Sequence, residues 1–430
     1  MNNQFIFRKS LLAASIALLT ACGGSGSSEP TAADSTTSGV ITGFGSIYIN
    51  GVKYETGTAS INIDGALLPE SELSVGDVCV IEGSVDADGT TGTAVTVACA
   101  DELEGYVMDV SGLDSTTGVG SIVVMGQTVM VNLDTVFEGD ETNVLSINDL
   151  SVDDIVEVNG FSDGNGNILA TRVETKAAND DVEIKGVVAN LNEDELELTF
   201  TIGDMLVNYS TAGEIPALVN GLFVEVKTTS PLSGNATDGF VMMASKIEVK
   251  EDGDIDIDGD EGEEIKMQGL VSEVTETTFL FNGQLVDIAS LDLDDDFDIT
   301  SLVDGMMITV EGYIDANGDF VVEEIEEEKE TEDEVEGFVT EVIGNTVTVN
   351  EMTFTINNDT RMIDDMGEMP LQYFSLANVV AGNYVEIEFY VDEATGDNIA
   401  TELEREDPEV EEVPSELGAV ESTPLSATIQ

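Results

Sequence analysis

Between residues 38 and 406, apolar and polar positions alternate with period two again and again. Val156-Glu157-Val158, Val224-Glu225-Val226, Ile308-Thr309-Val310 and Val385-Glu386-Ile387 each place branched apolar side chains on one face and a polar one on the other. That period belongs to antiparallel strands with one face buried and one solvated. The pattern recurs in five related stretches: "VGDVCVIEG" at 75–83, "VDDIVEVNG" at 152–160, "NGLFVEVKT" at 220–228, "DGMMITVEG" at 304–312 and "AGNYVEIEF" at 381–389. A turn and a second arm follow each, at 93–100, 169–176, 243–250, 320–327 and 399–406, which predicts five long hairpins.

Each hairpin has an upstream anchor. Gly39-Val40-Ile41, Gly105-Tyr106-Val107, Gly186-Val187-Val188, Gly269-Leu270-Val271 and Gly337-Phe338-Val339 recur at intervals of about 65–85 residues, which marks a tandem array. Between anchor and hairpin lies a shorter strand pair, with Asn50-Gly51 or Asn282-Gly283 as its turn. One unit therefore reads as five short strands. The predicted fold class is all-β: five tandem small antiparallel β-barrel units, OB-like, joined by acidic linkers, with little helix. A small open sandwich is the alternative. The predicted boundaries are repeats at 38–103, 104–178, 181–250, 265–328 and 334–406, an acidic linker at 251–264, and a disordered acidic tail at 407–430.

Composition narrows the function classes. The chain has 13 Lys+Arg against 88 Asp+Glu, a formal net charge of -75, and neither His nor Trp. A hydrophobic fraction of 42% is that of a folded protein. Such a charge repels phosphate backbones and anionic lipid surfaces, so nucleic acid is excluded as a partner. It suits saline solubility, divalent cations or a cationic partner.

The N-terminus has the form of an export signal. Arg8 and Lys9 precede an apolar run, Leu11 to Leu19, that is too short to span a bilayer. Leu19-Thr20-Ala21-Cys22 resembles a bacterial lipobox. The resemblance implies a lipoprotein signal peptide at 1–21 and a lipidated Cys22 as the first mature residue. Gly23 in place of an Asp implies the outer membrane of a two-membrane bacterium. Residues 22–37 are read as a flexible tether. In that oxidising setting the other two cysteines gain a meaning. A hairpin centred on Gly89 places Cys79 opposite Cys99, which predicts a cross-strand disulfide; two buried thiols are the alternative.

The first unit, "GVITGFGSIYINGVKYET…LSVGDVCVIEGSVDADGTTGTAVTV", resembles a family of bacterial lipoprotein domains of unknown function, most strongly over residues 38–107. The later units look like diverged copies. The resemblance implies an envelope location and a repeated β architecture, and it supplies no functional residue.

Without His, neither a Ser-His-Asp triad nor a His-zinc site is possible, and no Walker-type or Gly-x-Ser-x-Gly motif occurs. The remaining candidate chemistry lies in oxygen-rich turns: Asp86 and Asp88, Asp163 and Asn165, Asp315, Asn317 and Asp319, with a similar turn at 392–398. These residues are either calcium ligands or ordinary turn formers. Asp254-x-Asp256-x-Asp258-Gly259 opens like an EF-hand loop, but Ile265 stands where the closing Glu belongs. No cofactor is expected beyond weakly held calcium. The sequence thus points to a non-enzymatic, outer-membrane-anchored lipoprotein that acts as a spacer or interaction module, with an envelope protein or polysaccharide as partner. A ligand- or calcium-binding module is the alternative, and a carboxylate-based hydrolase is the third reading.

Overall fold

A computed structural model describes residues 33–406 other than 88, 115–118, 140–149, 164–165, 177–181, 195–196, 236–238, 251–260, 283, 289–290, 292–296, 298, 317–319, 329–332, 367–370, 372–373 and 393–394. The signal peptide, Cys22, the acidic tail and most of the 251–264 linker lie outside the described residues. Within them the regular structure is strand, with short 3-10 turns such as Glu70–Glu72 and Leu376–Asn378.

Three of the five units follow one plan. In the first, Ala33–Gly43 pairs with Ile47–Ile49 on one side and with the hairpin arm Val78–Val85 on the other. Ile47–Ile49 pairs with Val52–Glu55, which runs parallel to the second arm, Thr91–Cys99, and the two arms pair with each other. Five strands thus close a ring. The second unit, opening with Leu103–Asp114, and the fifth, opening with Asp333–Ile343, close in the same order. Among the described residues, the third and fourth units stay open.

The recurrent opening glycine has a steric cause. A Cβ on Gly39 would stand 2.2 Å from Asn50 Oδ1, and one on Gly269 would stand 2.4 Å from Asn282 Nδ2. Those asparagines, at positive φ in the tight turn, lie back across the first strand, where their amides donate to the carbonyls of Ser38 (2.8 Å) and Gln268 (3.3 Å). Glycine at the anchor and Asn-Gly at the turn are one device. Cys79 and Cys99 face each other in register and are joined by a disulfide in the interior of the first unit. Closing a loop of this length is worth about 3 kcal/mol in chain entropy.

Tandem order does not make a string of beads. Ser35–Ser38 runs parallel to Glu264–Met267, so the first and fourth units share one sheet. The second and third share another sheet and a continuous core. This corrects the tether: residues 33–37 are strand, and Ser35, Thr36, Thr37 and Ser38 are buried. Their Ser/Thr composition reads as linker, but the backbone fills the gap between two sheets, and Thr36 donates to Glu263 (2.7 Å) across it. The 251–264 linker likewise ends early, because Glu264 already pairs in the fourth unit.

A second glycine sits at the bulge of the long hairpin. A Cβ on Gly312 would lie 2.0 Å from the Val321 carbonyl oxygen, a backbone atom that cannot rotate away. Gly312→Ala is expected to cost about 1–3 kcal/mol of stability. Gly57→Ala, where nothing lies within 4 Å, serves as the neutral control. Equal melting temperatures for the two variants would refute this account of the repeat.

Candidate functional site

Three units share a bend that follows the short strand pair: Asn132-Leu133-Asp134-Thr135, Asn208-Tyr209-Ser210-Thr211 and Asn357-Asn358-Asp359-Thr360. In each, the Asn side-chain oxygen accepts from the backbone N–H two residues on, at 3.1, 3.0 and 3.0 Å. The Thr hydroxyl donates to a carbonyl of the long hairpin: Ala170 (2.8 Å), Ala244 (3.1 Å) or Ala400 (2.8 Å). This Asx-type turn locks the bend. Its third residue is left at the unit's rim, and two of these residues, Asp134 and Asp359, take part in the junctions between units. The motif was visible in the sequence as Asn-x-(Asp/Ser)-Thr, but it was hidden among many similar turn residues.

Single cations bind the units together. Arg172 of the second unit is nearly buried and reaches Asp77 of the first (3.5 Å) while holding Glu138 (2.6 Å) and Glu174 (2.8 Å) of its own unit. Arg361 of the fifth unit holds Glu402 (2.9 Å) and Glu388 (3.5 Å), and it reaches Asp134 of the second through both carboxylate (3.5 Å) and backbone carbonyl. Lys185 of the third unit binds Asp101, between the first and second (2.9 Å). A buried charge is tolerable only when paired, so these contacts fix the junctions.

A cleft of about 430 Å³ opens where the first, second, fourth and fifth units meet. Its lining includes Lys266, Glu326, Glu328, Asp134, Asp359 and Tyr390. Lys266 stands 3.4 Å from Glu311 and 3.8 Å from Glu326. Burial raises the Glu328 carboxyl, which accepts the Thr309 hydroxyl. Burial also raises Asp359, with Lys266 pulling the other way. Such a lining favours a small cationic group.

Among the described residues, the acidic turns do not converge. The Asp86 carboxylate accepts the Thr91 hydroxyl (2.8 Å) within its own hairpin. Asp163 accepts both the backbone N–H and the side-chain amide of Asn167 (3.0 and 2.6 Å). Asp315 lies on the hairpin of the fourth unit, while Asp88, Asn165, Asn317 and Asp319 lie outside the described residues. At 392–398, Asp392 accepts the Thr395 N–H at 2.7 Å. Among the described residues, the carboxylates that do converge are others: oxygens of Asp101, Glu104 and Glu157 lie within 4.8 Å of one another.

Several of these carboxyls titrate late. Burial pushes Asp77 up to about 6 against the pull of Arg172. Burial and the surrounding carboxylates push Glu386 up to about 7. A carboxyl raised by folding favours the protonated fold, so its contribution is complete below the ordinary carboxylate range and lost as pH rises through 6 to 7. The melting temperature at constant ionic strength is therefore expected to rise by several degrees from pH 8 to pH 5. A steady fall on acidification would contradict this.

With the geometry in place, comparison with known proteins adds a family. Domain of unknown function (DUF5666) matches at residues 37–97, 104–174, 268–326 and 336–404, which correspond to the first, second, fourth and fifth units and together make up more than half of the chain. No curated protein matches. The solved structure of drosophila Unr CSD456 is similar at 12% identity over 50% of this chain and 98% of that one, with a TM-score of 0.15, too low to bear on this fold. The chain belongs to the DUF5666 family and carries its domain in tandem.

Proposed function

We propose that the chain is a non-enzymatic envelope lipoprotein whose five units work as one interaction scaffold. The observation that carries this reading is the way the units are fused. Shared sheets and buried cation clamps make a single body with an acidic exterior, a form suited to presenting surfaces rather than turning over a substrate. The lipobox-like Leu19-Thr20-Ala21-Cys22 supports lipid anchoring in the outer membrane, with an envelope protein or polysaccharide as partner. On this reading the native protein sediments with outer membranes and incorporates labelled palmitate. Cys22→Ala abolishes both and blocks processing. Normal processing and membrane retention of that variant would overturn the anchoring.

A second reading is favoured by the oxygen cluster Asp101, Glu104 and Glu157 and by the acidic cleft: a divalent cation held by hard oxygens. Calcium that binds the fold stabilises it by mass action. Millimolar calcium then raises the melting temperature above a sodium control of matched ionic strength, and Glu157→Gln reduces the gain. Coincident melting curves in the two salts would leave the scaffold reading alone.

A further inference from the structure

The outward face beside each opening glycine is used differently from unit to unit. In the first unit, Val40 pairs with Val78; in the fourth, Leu270 pairs with Met307. Both pairs point away from their own interiors, and both are covered by one apolar cluster in which Phe161 and Leu169 come from the long hairpin of the second unit. The fifth unit has Phe338 paired with Tyr384 at this place. The rings meet edge to face at 4.9 Å, and Phe338 remains 54% exposed. This site, filled by an apolar hairpin tip elsewhere in the molecule, is open here and carries its largest side chains.

The rung of residues next to it changes in the same direction. In the second unit, Glu104, Glu157 and Glu174 lie side by side across three strands. Lys176 lies across them, 2.8 Å from Glu157 and 2.7 Å from Glu174. In the fifth unit the equivalent rung is Glu336, Glu386 and Glu404, and register places Glu406 where the second unit has Lys176. Like charges directly opposed across strands are destabilising. Glu386 carries the mark of this, for burial and its glutamate neighbours both raise its carboxyl. Glu336 and Phe338 are two residues apart, so the charged rung and the aromatic pair share one outward face.

We propose that this face of the fifth unit is a docking site for a basic polypeptide segment of a partner, with a Lys or Arg over the Glu336–Glu386–Glu404 rung and an apolar side chain against Phe338 and Tyr384. The basic group takes the place that Lys176 takes in the second unit. The apolar one takes the place that Phe161 and Leu169 take over the first and fourth. An alternating Lys-x-Leu segment matches the two-residue offset along the strand. A second copy of this chain fits less well, since its surface brings further carboxylates to an acidic rim.

The inference deepens the scaffold reading and has its own test. The fluorescent peptide KTLTKTLT is titrated against the full-length mature protein by anisotropy, with KTSTKTST and ETLTETLT as controls. Wild-type protein is expected to bind the first peptide, at least tenfold more tightly than either control. Phe338→Ser weakens that binding at least tenfold while the protein still unfolds in one cooperative transition at a slightly lower melting temperature. Glu406→Lys restores the arrangement of the second unit, so it weakens binding to a similar degree while raising the melting temperature. Absence of binding by the wild type, or wild-type affinity in either variant, overturns the proposal. So does dimerisation in sedimentation that Phe338→Ser abolishes, which would make a second copy the occupant. The readout is independent of lipidation, so failed anchoring and failed docking are told apart.

Discussion

Positive charge is the scarce material of this molecule, and its placement decides the architecture. Thirteen Lys and Arg face eighty-eight acidic residues. Surface ion pairs add little to stability, so scattering these cations over the exterior would accomplish almost nothing. Several are found instead at unit junctions or across glutamate rungs: Arg172 between the first and second units, Arg361 between the second and fifth, Lys185 beside Asp101, Lys176 over Glu157 and Glu174. Removing one would leave its carboxylates partly desolvated and unmatched, which costs far more than an exposed pair contributes. Compactness in so acidic a chain depends on these few contacts.

Repetition lets the units be read against one another. The closed strand order recurs in the first, second and fifth units and the glycine–asparagine device in the first, fourth and fifth, while the outward face is free to vary. In the first and fourth units that face is aliphatic and internal to the assembly. In the fifth it is aromatic, bordered by glutamates, and open. Variation of this kind, at one place in a fixed frame, separates residues that make the domain from residues that make contacts.

Most of the local structure was legible in the sequence, and most of the assembly was not. Period-two alternation fixed the strands, and the turn centred on Gly89 fixed the facing of Cys79 and Cys99. Those signals are local, spanning a strand or a hairpin. The pairing of Ser35–Ser38 with Glu264–Met267 joins segments more than two hundred residues apart and has no compositional marker; four small hydroxyl residues look like tether. The clamps were hidden for a different reason. Carboxylates are so abundant that no pair stands out, and only the rare cation reveals which ones are buried. Counting cations by unit was the available signal. In the Asp-rich turns, the described carboxylates of Asp86 and Asp163 accept hydrogen bonds within their own hairpins, which is turn chemistry that residue type alone does not separate from ligand chemistry.

The join between the first and fourth units follows from the geometry of barrels. Closing a five-stranded ring removes free edges, but a first strand longer than the ring requires projects beyond it with one side unpaired. Ala33–Gly43 is such a strand: Val78–Val85 pairs along one side, and the other is open ahead of the short strand pair. An open edge of this kind recruits any available strand, including one from another molecule. Here it recruits Glu264–Met267, which is itself paired on its far side by Met307–Ile314. One extension thus consumes two edges, holds distant repeats side by side, and fixes where the second unit must place its hairpin. The side-by-side placement of the first and fourth units is therefore set by an overhang of a few polar residues, whereas the interior of each barrel is set by its own alternation.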